Sequence, residues 1–255
     1  FSGTIDRARA TALVRKYFAR LPKGEARRVT LAPAKPPKGR TLLFVDKPKR
    51  TQTQVFVGHL GIRATSRHFF PLEIANTIFG GTFTARLIQE IREKRGWSYG
   101  AYSYNQVGRT IGRYFFRFYP ANKDCIPALK LGLTLFETLV ADGLSDQEVA
   151  FAKSYIKNSF PFRIETAQKQ LAEALRLELL GLPVDYLEHY LERISRTSSA
   201  EVKTTLRAVL HPNDVMIVIV GTYETLAKQL RQIPGVNRIL VNRYDRRWNP
   251  KEIRN

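Results

Sequence analysis

The sequence predicts an α+β fold, a mostly antiparallel sheet with helices packed on one face. Three observations carry this. Strand-length apolar or alternating runs cluster between Thr41 and Tyr119. A nearly unbroken helical stretch, Cys125 to Leu210, follows. One apolar strand, Val215 to Val220, then closes the order. Strands, then a block of helices, then a last strand is the order of an α+β layer, not of strict strand and helix alternation.

The elements follow in order. Ser2 to Ile5 reads as the tail of a strand. Asp6 then caps a helix whose Ala10, Leu13, Val14, Tyr17 and Phe18 keep 3.6-residue spacing, and Leu21-Pro22 ends it. "LAPAKPPKGR", Leu31 to Arg40, is proline-rich and reads as a stiff linker. Thr41 to Asp46 is an apolar strand. Thr53 to Leu60 alternates, with Val55 and Val57 on one face and Phe56 and Leu60 on the other. His68 to Phe79 is helical, with Pro71 in its first turn, and Gly80-Gly81 breaks it as a turn needing positive backbone dihedrals. Phe83 to Lys94 forms a further helix with Phe83, Leu87, Ile88 and Ile91 inward and Thr82 or Thr84 as its cap. Ser98 to Gln106 and Ile111 to Tyr119 form two strands. In the second, Tyr114, Phe116 and Phe118 share a core face opposite Arg113 and Arg117.

The helical block breaks at Gly143, Pro161 and Gly181-Leu182-Pro183. After Val215 to Val220, Gly221-Thr222 leads into a helix that Glu224 is placed to cap and Pro234 to end. Gly3-Thr4-x-Asp6 is echoed 218 positions later by Gly221-Thr222-x-Glu224, which points to two homologous modules in tandem. Residues 1–30 are then the last strand and helix of a preceding module. Residues 31–40 are the linker, 41–240 the second module and 241–255 a basic tail.

Composition narrows function. At 255 residues, 44% apolar and 25% charged, the chain has the make-up of a globular domain, and no apolar run reaches the roughly 20 residues of a membrane helix. A net charge of +20 suits a polyanion, an acidic surface or an acidic partner subunit, and composition alone does not choose among these and the plainer reading, a solvated basic surface. The basic residues are scattered, however, and no nucleic-acid-binding motif accompanies them, so a nucleic-acid partner is not expected. A single cysteine, Cys125, excludes an internal disulfide and leaves the compartment open. His59, His68, His189 and His211 form no metal-ligand spacing, and phosphate-loop, dinucleotide and nucleophile-elbow motifs are absent. His59 shares the face of Val55 and Val57 and reads as a satisfied sheet histidine.

The stretch "IREKRGWSY" holds Arg92 and Tyr99 seven positions apart across a helix-to-strand junction at Gly96. Taken alone, the pair reads as a surface salt bridge and a sheet tyrosine. Its surroundings, "ANTIFGGTFTARLIQEIREKRGWSYGAYS" from Ala75 to Ser103, resemble the signature of the C-terminal half of pitrilysin/insulinase-type zinc metallopeptidases, the inverzincin group that includes mitochondrial processing peptidase. The pieces are specific as a set, and the resemblance extends from Phe1 to about Leu240. It implies one half of a clamshell of similar α+β modules. It also implies that Arg92 and Tyr99 reach a scissile peptide held at the zinc of the opposite half. A phenol can stabilise the charge that develops on an attacked carbonyl, and an arginine fork can hold the adjoining backbone. Gly80 and Gly81 would let their loop approach substrate, and Arg113 and Arg117 would favour acidic or C-terminal carboxylate substrates.

The inverted zinc motif of the family is not in this chain, so no metal ligand or general base is assigned to it. Zinc is expected in a partner half or subunit bearing H-x-x-E-H, in a heterodimer or a longer chain. The resemblance leaves a second role open, that of a non-catalytic scaffold like the respiratory-complex core proteins. Bacterial relatives are often periplasmic, which sets that compartment as the expectation, with the cytoplasm as the alternative.

Overall fold

The computed structural model describes residues 1–25 and 32–253. Seven strands form one sheet: β1 (Arg40–Asp46), β2 (Gln54–Leu60), β3 (Ala101–Gln106), β4 (Arg113–Phe118), β5 (Met216–Gly221), β6 (Val236–Arg243) and β7 (Lys251–Ile253), in the order β3-β4-β2-β5-β1-β6-β7. The pairings of β3 with β4, β4 with β2, β2 with β5 and β6 with β7 are antiparallel, while β1 runs parallel to β5 and β6. The mostly antiparallel reading therefore stands, with a parallel centre around β1.

Period-two alternation sends one side chain in two into the core. Val55 and Val57 of β2, Tyr114, Phe116 and Phe118 of β4, and Ile217 and Ile219 of β5 are all buried. On that face lie α2 (Phe69–Asn76), α3 (Cys125–Asp142) and α8 (Ser199–Val209), whose Leu72, Phe136 and Leu206 are buried in the same core. Phe136 packs 5.6 Å from Phe116 and 5.9 Å from Tyr114, ring centre to ring centre. The aromatic face of β4 is thus core, as its pattern predicts. The opposite face of β2, β4 and β5 carries no helix over its hollow, which only strand and linker residues line.

The helical block divides where expected and at two further places. Gly143 (φ +81) ends α3, Pro161 opens α5 (Pro161–Ile164), and Gly181 (φ +70) ends α6 (Ala167–Leu180) in the left-handed conformation. Between them, α4 (Asp146–Ser159) starts with a capping box of Ser145 and Glu148, and α8 with one of Ser198 and Glu201. Thr166 caps α6, and α7 (Tyr190–Arg196) ends before Ser198, both breaks that the apolar pattern alone does not mark. No helix of the described residues is long and apolar enough to cross a membrane.

Several expectations are corrected. Ser2 to Ile5 forms no strand, although Asp6 does cap α1 (Arg7–Phe18) by accepting from the Arg9 N–H at 2.7 Å. Leu31 lies outside the described residues. The helix predicted from Phe83 starts only at residue 86 and ends in a π turn, Ile88–Glu93; Leu87, Ile88 and Ile91 are buried, but Phe83 is 69% exposed. Thr82 does not cap it, since its hydroxyl donates back to the Thr77 carbonyl at 3.4 Å. Glu224 is not the cap of α9 (Tyr223–Leu230): the Tyr223 N–H is taken by Asp46 of β1 at 3.1 Å. Residues 241–255, read as a basic tail, carry the end of β6 and all of β7.

Candidate functional site

The corner between the second π turn and β3 is fastened from below. Lys94 N–H donates to the Gln89 carbonyl and Gly96 N–H to the Arg92 carbonyl, and Gly96 itself takes φ +63, the left-handed geometry that turns the chain toward the sheet. Ile91 is buried on one side of the turn. On the other, buried Ser98 donates to the Gly100 carbonyl at 2.7 Å and accepts from the Tyr119 N–H at 2.8 Å, which ties the corner to the end of β4.

Above this base the two singled-out residues meet. The Arg92 guanidinium carbon lies 4.8 Å from the centre of the Tyr99 ring, a cation–π stack, and Tyr99 is 85% exposed. Tyr99 therefore does not pack in the sheet. The other two cations of "REKR" are taken up locally: Lys94 and Arg95 both donate to Glu90, at 2.5 and 2.6 Å, and with the Lys94 bond foremost they hold its carboxyl below the usual range. Arg92 reaches only its neighbour Glu93, at 3.3 Å through Nε. The corner thus presents a phenol and a guanidinium outward on a buried footing.

Gly80 and Gly81 do not form the turn of positive dihedrals predicted for them. Neither has a positive φ. They close a π turn, Thr77–Gly81, that presses on β3, and a Cβ at Gly80 would stand 2.4 Å from the Ser103 N atom. Gly80 is buried there, whereas Gly81 is exposed. Both line a hollow of about 270 Å³ beside Tyr102 and Ser103 at the edge of β3.

Arg113 and Arg117 lie on the open face of the sheet, as the alternation of β4 requires. Arg117 pairs in register with Tyr102 and Arg113 with Gln106, so Arg117 sits nearer the Tyr99 end of β3. The Arg117 Nη2 donates to the Tyr104 hydroxyl at 2.8 Å and the Arg113 Nε to the Gln106 side-chain oxygen at 2.6 Å. Both border a larger hollow of about 680 Å³ that also takes in Lys35 and Pro37 of the linker. Sequence reasoning named the two arginines but missed Tyr104 and the linker residues. The available signal was Tyr104 two positions after Tyr102, on the same face.

His59 and His211 lie side by side, 5.5 Å between ring centres. His59 is buried, its Nε2 accepts from the His211 N–H at 3.2 Å, and its Nδ1 therefore carries the proton, donated to the Leu60 carbonyl at 2.7 Å. Burial holds its pKa below the ordinary histidine value. Both ring nitrogens are thus occupied, the satisfied sheet histidine of the prediction. Burial also pushes the Cys125 thiol up to about 11, the wrong direction for a nucleophile. Among the described residues no group of three or more His, Cys, Asp or Glu stands close enough to hold a metal ion. The described residues therefore do not fit the zinc of the resembling family.

Comparison with known proteins agrees with this division. The profile of the peptidase M16 inactive domain matches residues 1–156. An uncharacterized zinc protease of Mycobacterium tuberculosis is 28% identical over 248 residues, covering 92% of this chain and 54% of that protein. A non-peptidase homolog of Helicobacter pylori is 25% identical over 147 residues, covering 56% of this chain and 33% of that protein. The crystal structure of a peptidase M16 inactive domain from Pseudomonas fluorescens superposes with a TM-score of 0.74 at 26% identity, over 86% of this chain and 51% of that one. The chain spans about half the length of the first of these relatives. With more than half of its residues matched by the family profile, and its fold in accord, the chain belongs to the peptidase M16 inactive-domain family.

Proposed function

We propose that this chain acts as the metal-free half of a peptide-hydrolysing chamber, supplying Arg92 and Tyr99 to a peptide held by a zinc-bearing partner half or subunit. The observation that carries the reading is the corner itself: an exposed tyrosine stacked by a guanidinium, on a buried base that fixes its position. A large exposed aromatic side chain held this way loses little entropy on meeting a ligand. The Tyr99 hydroxyl donates a hydrogen bond to the carbonyl oxygen as negative charge develops there during hydrolysis. The Arg92 guanidinium, turned from the ring to the substrate, holds the neighbouring backbone carbonyls in register. Zinc, the attacking water and the general base belong to the partner, and no step on them is assigned to this chain. Supporting the need for a partner, α1 buries none of its residues, leaving Val14, Tyr17 and Phe18 exposed.

The test is hydrolysis of a fluorogenic peptide library by this chain, by a zinc-bearing family half, and by the two mixed. Activity is expected only in the mixture. Tyr99→Phe should lower kcat by about 10²- to 10³-fold, the usual cost of losing one such donor. Arg92→Ala should act more on KM. A second reading, a non-catalytic assembly subunit, is favoured by the similarity to the non-peptidase homolog of Helicobacter pylori. Silence in every mixture, with complex formation intact, would establish that reading instead.

A further inference from the structure

We propose that the open face of the sheet is a binding site for an extended peptide segment that carries an acidic side chain and, two positions away, an apolar one. This deepens the peptide-hydrolase reading and takes from it only that the ligand is a peptide. The hollow of about 680 Å³ has an apolar floor of Phe56, Phe115, Met216 and Val218, and three cations, Lys35, Arg113 and Arg117, at its sides. No aspartate or glutamate lines it.

The hydrogen-bond partners of the two arginines are neutral. Among the described residues neither has a carboxylate within ion-pair distance, whereas Arg40, Arg86, Arg95, Arg163 and Arg243 all do. Arg117 is held by neutral groups alone. Its Nη2 meets the Tyr104 hydroxyl, its guanidinium lies 4.8 Å from the Tyr104 ring centre and 5.8 Å from that of Tyr119, and its Nε is buried without a hydrogen-bond partner. Arg113 is held likewise by Gln106 and by the Phe115 ring at 5.4 Å. Guanidinium groups oriented in this way, half-shielded from water and lacking a counter-charge, present their remaining donors to an anion from outside the chain.

The apolar floor selects among anions. A polyphosphate has nothing to bury against Met216 and Val218, while Phe115 already offers one ring face to Tyr104 at 4.9 Å and so is a poor stacking platform for a base. In an extended peptide, side chains two apart point the same way, about 7 Å from each other. One can then reach Arg117 while its neighbour fills the floor.

The test is fluorescence anisotropy with an N-terminally labelled, C-terminally amidated decapeptide carrying Glu and, two residues on, Leu, against its Glu→Gln counterpart. The acidic peptide is expected to bind this chain at least tenfold more tightly. Arg117→Gln should bring that ratio close to one. Arg113→Gln, at a more exposed position, should lower it less. Arg207→Gln, on the helical layer, should leave it unchanged, and hydrolysis by the mixture with a zinc-bearing half is read separately, so that this site and the proposed catalytic corner can each fail without the other. Equal affinity for the two peptides, no binding of either, or a ratio untouched by both Arg117→Gln and Arg113→Gln would overturn the proposal. Binding that requires a free C-terminal carboxylate would move the anion to the peptide terminus and overturn it also. Tighter binding of an oligothymidylate, with peptide discrimination absent, would assign the face to nucleic acid.

Discussion

A hydrogen atom is all that position 80 tolerates. The Cβ of an alanine there would fall 2.4 Å from the Ser103 N atom and 2.7 Å from the Ser103 hydroxyl, with the β3 backbone unable to retreat without breaking its pairing to β4. Gly80→Ala should therefore cost about 1–3 kcal/mol, the range for overpacking a fitted core, read as a lower denaturant midpoint at unchanged m-value. The positive dihedrals read from Gly80-Gly81 are not there. A positive φ is a local property that a dipeptide can announce, but close approach to a strand more than 20 residues away is tertiary and leaves no local trace. Arg92 and Tyr99 were legible as a pair through their spacing. Their stacking was not, because a contact of 4.8 Å between guanidinium and ring depends on side-chain orientation, which spacing does not state.

Helix α9 shows the same division at the level of elements. Its existence was readable from Gly221-Thr222 and the stop at Pro234, but with Glu224 read as the cap its start was placed two residues late. The acceptor at its N-terminus was not readable, because Asp46 comes from β1, 177 positions earlier. Asp46→Ala should cost about 1 kcal/mol, the usual loss of an N-terminal cap, and Glu224→Gln less than about 0.5 kcal/mol; thermal unfolding of the two variants separates them. Strands β6 and β7 were missed for a physical reason as well. Only Ile239 in β6 is fully buried, and β7 has no buried residue, so neither shows the alternation by which a half-buried strand is recognised. The π turns at Thr77–Gly81 and Ile88–Glu93 likewise look like ordinary helix to a 3.6-residue pattern.

For the molecule as a whole, the acid limb of stability is set in part by a histidine that the fold keeps neutral. Burial comes first among the causes that depress His59, and the same holds for His68. The unfolded chain therefore binds more protons than the folded one as pH falls below the ordinary histidine value. Stability is complete above about pH 6.5 and declines below it, by at most about 1.4 kcal/mol per pH unit for one proton. Urea midpoints at pH 7.5 and 5.5 should differ, and His59→Gln should shrink that difference while His68 retains its share. Glu73 works in the opposite sense at lower pH, because burial raises its pKa and protonation then favours the folded form. The order of elements and the one-sided helical layer were legible in the sequence, since periodicity and turn residues encode both. The join of β1 to β5 and β6 in parallel was not, since nothing within a strand states the direction of its neighbour.

The corner also carries its own optical signal. The chain has two tryptophans: Trp97, two residues from Tyr99, packed against the core beneath the Arg95 guanidinium at 5.4 Å, and Trp248, 68% exposed near the far edge of the sheet. Replacing Trp248 with phenylalanine leaves a single indole, two residues from Tyr99, whose surroundings change when a ligand is seated at the corner. Occupancy of the corner can then be followed by indole fluorescence in real time, with no label attached to either partner.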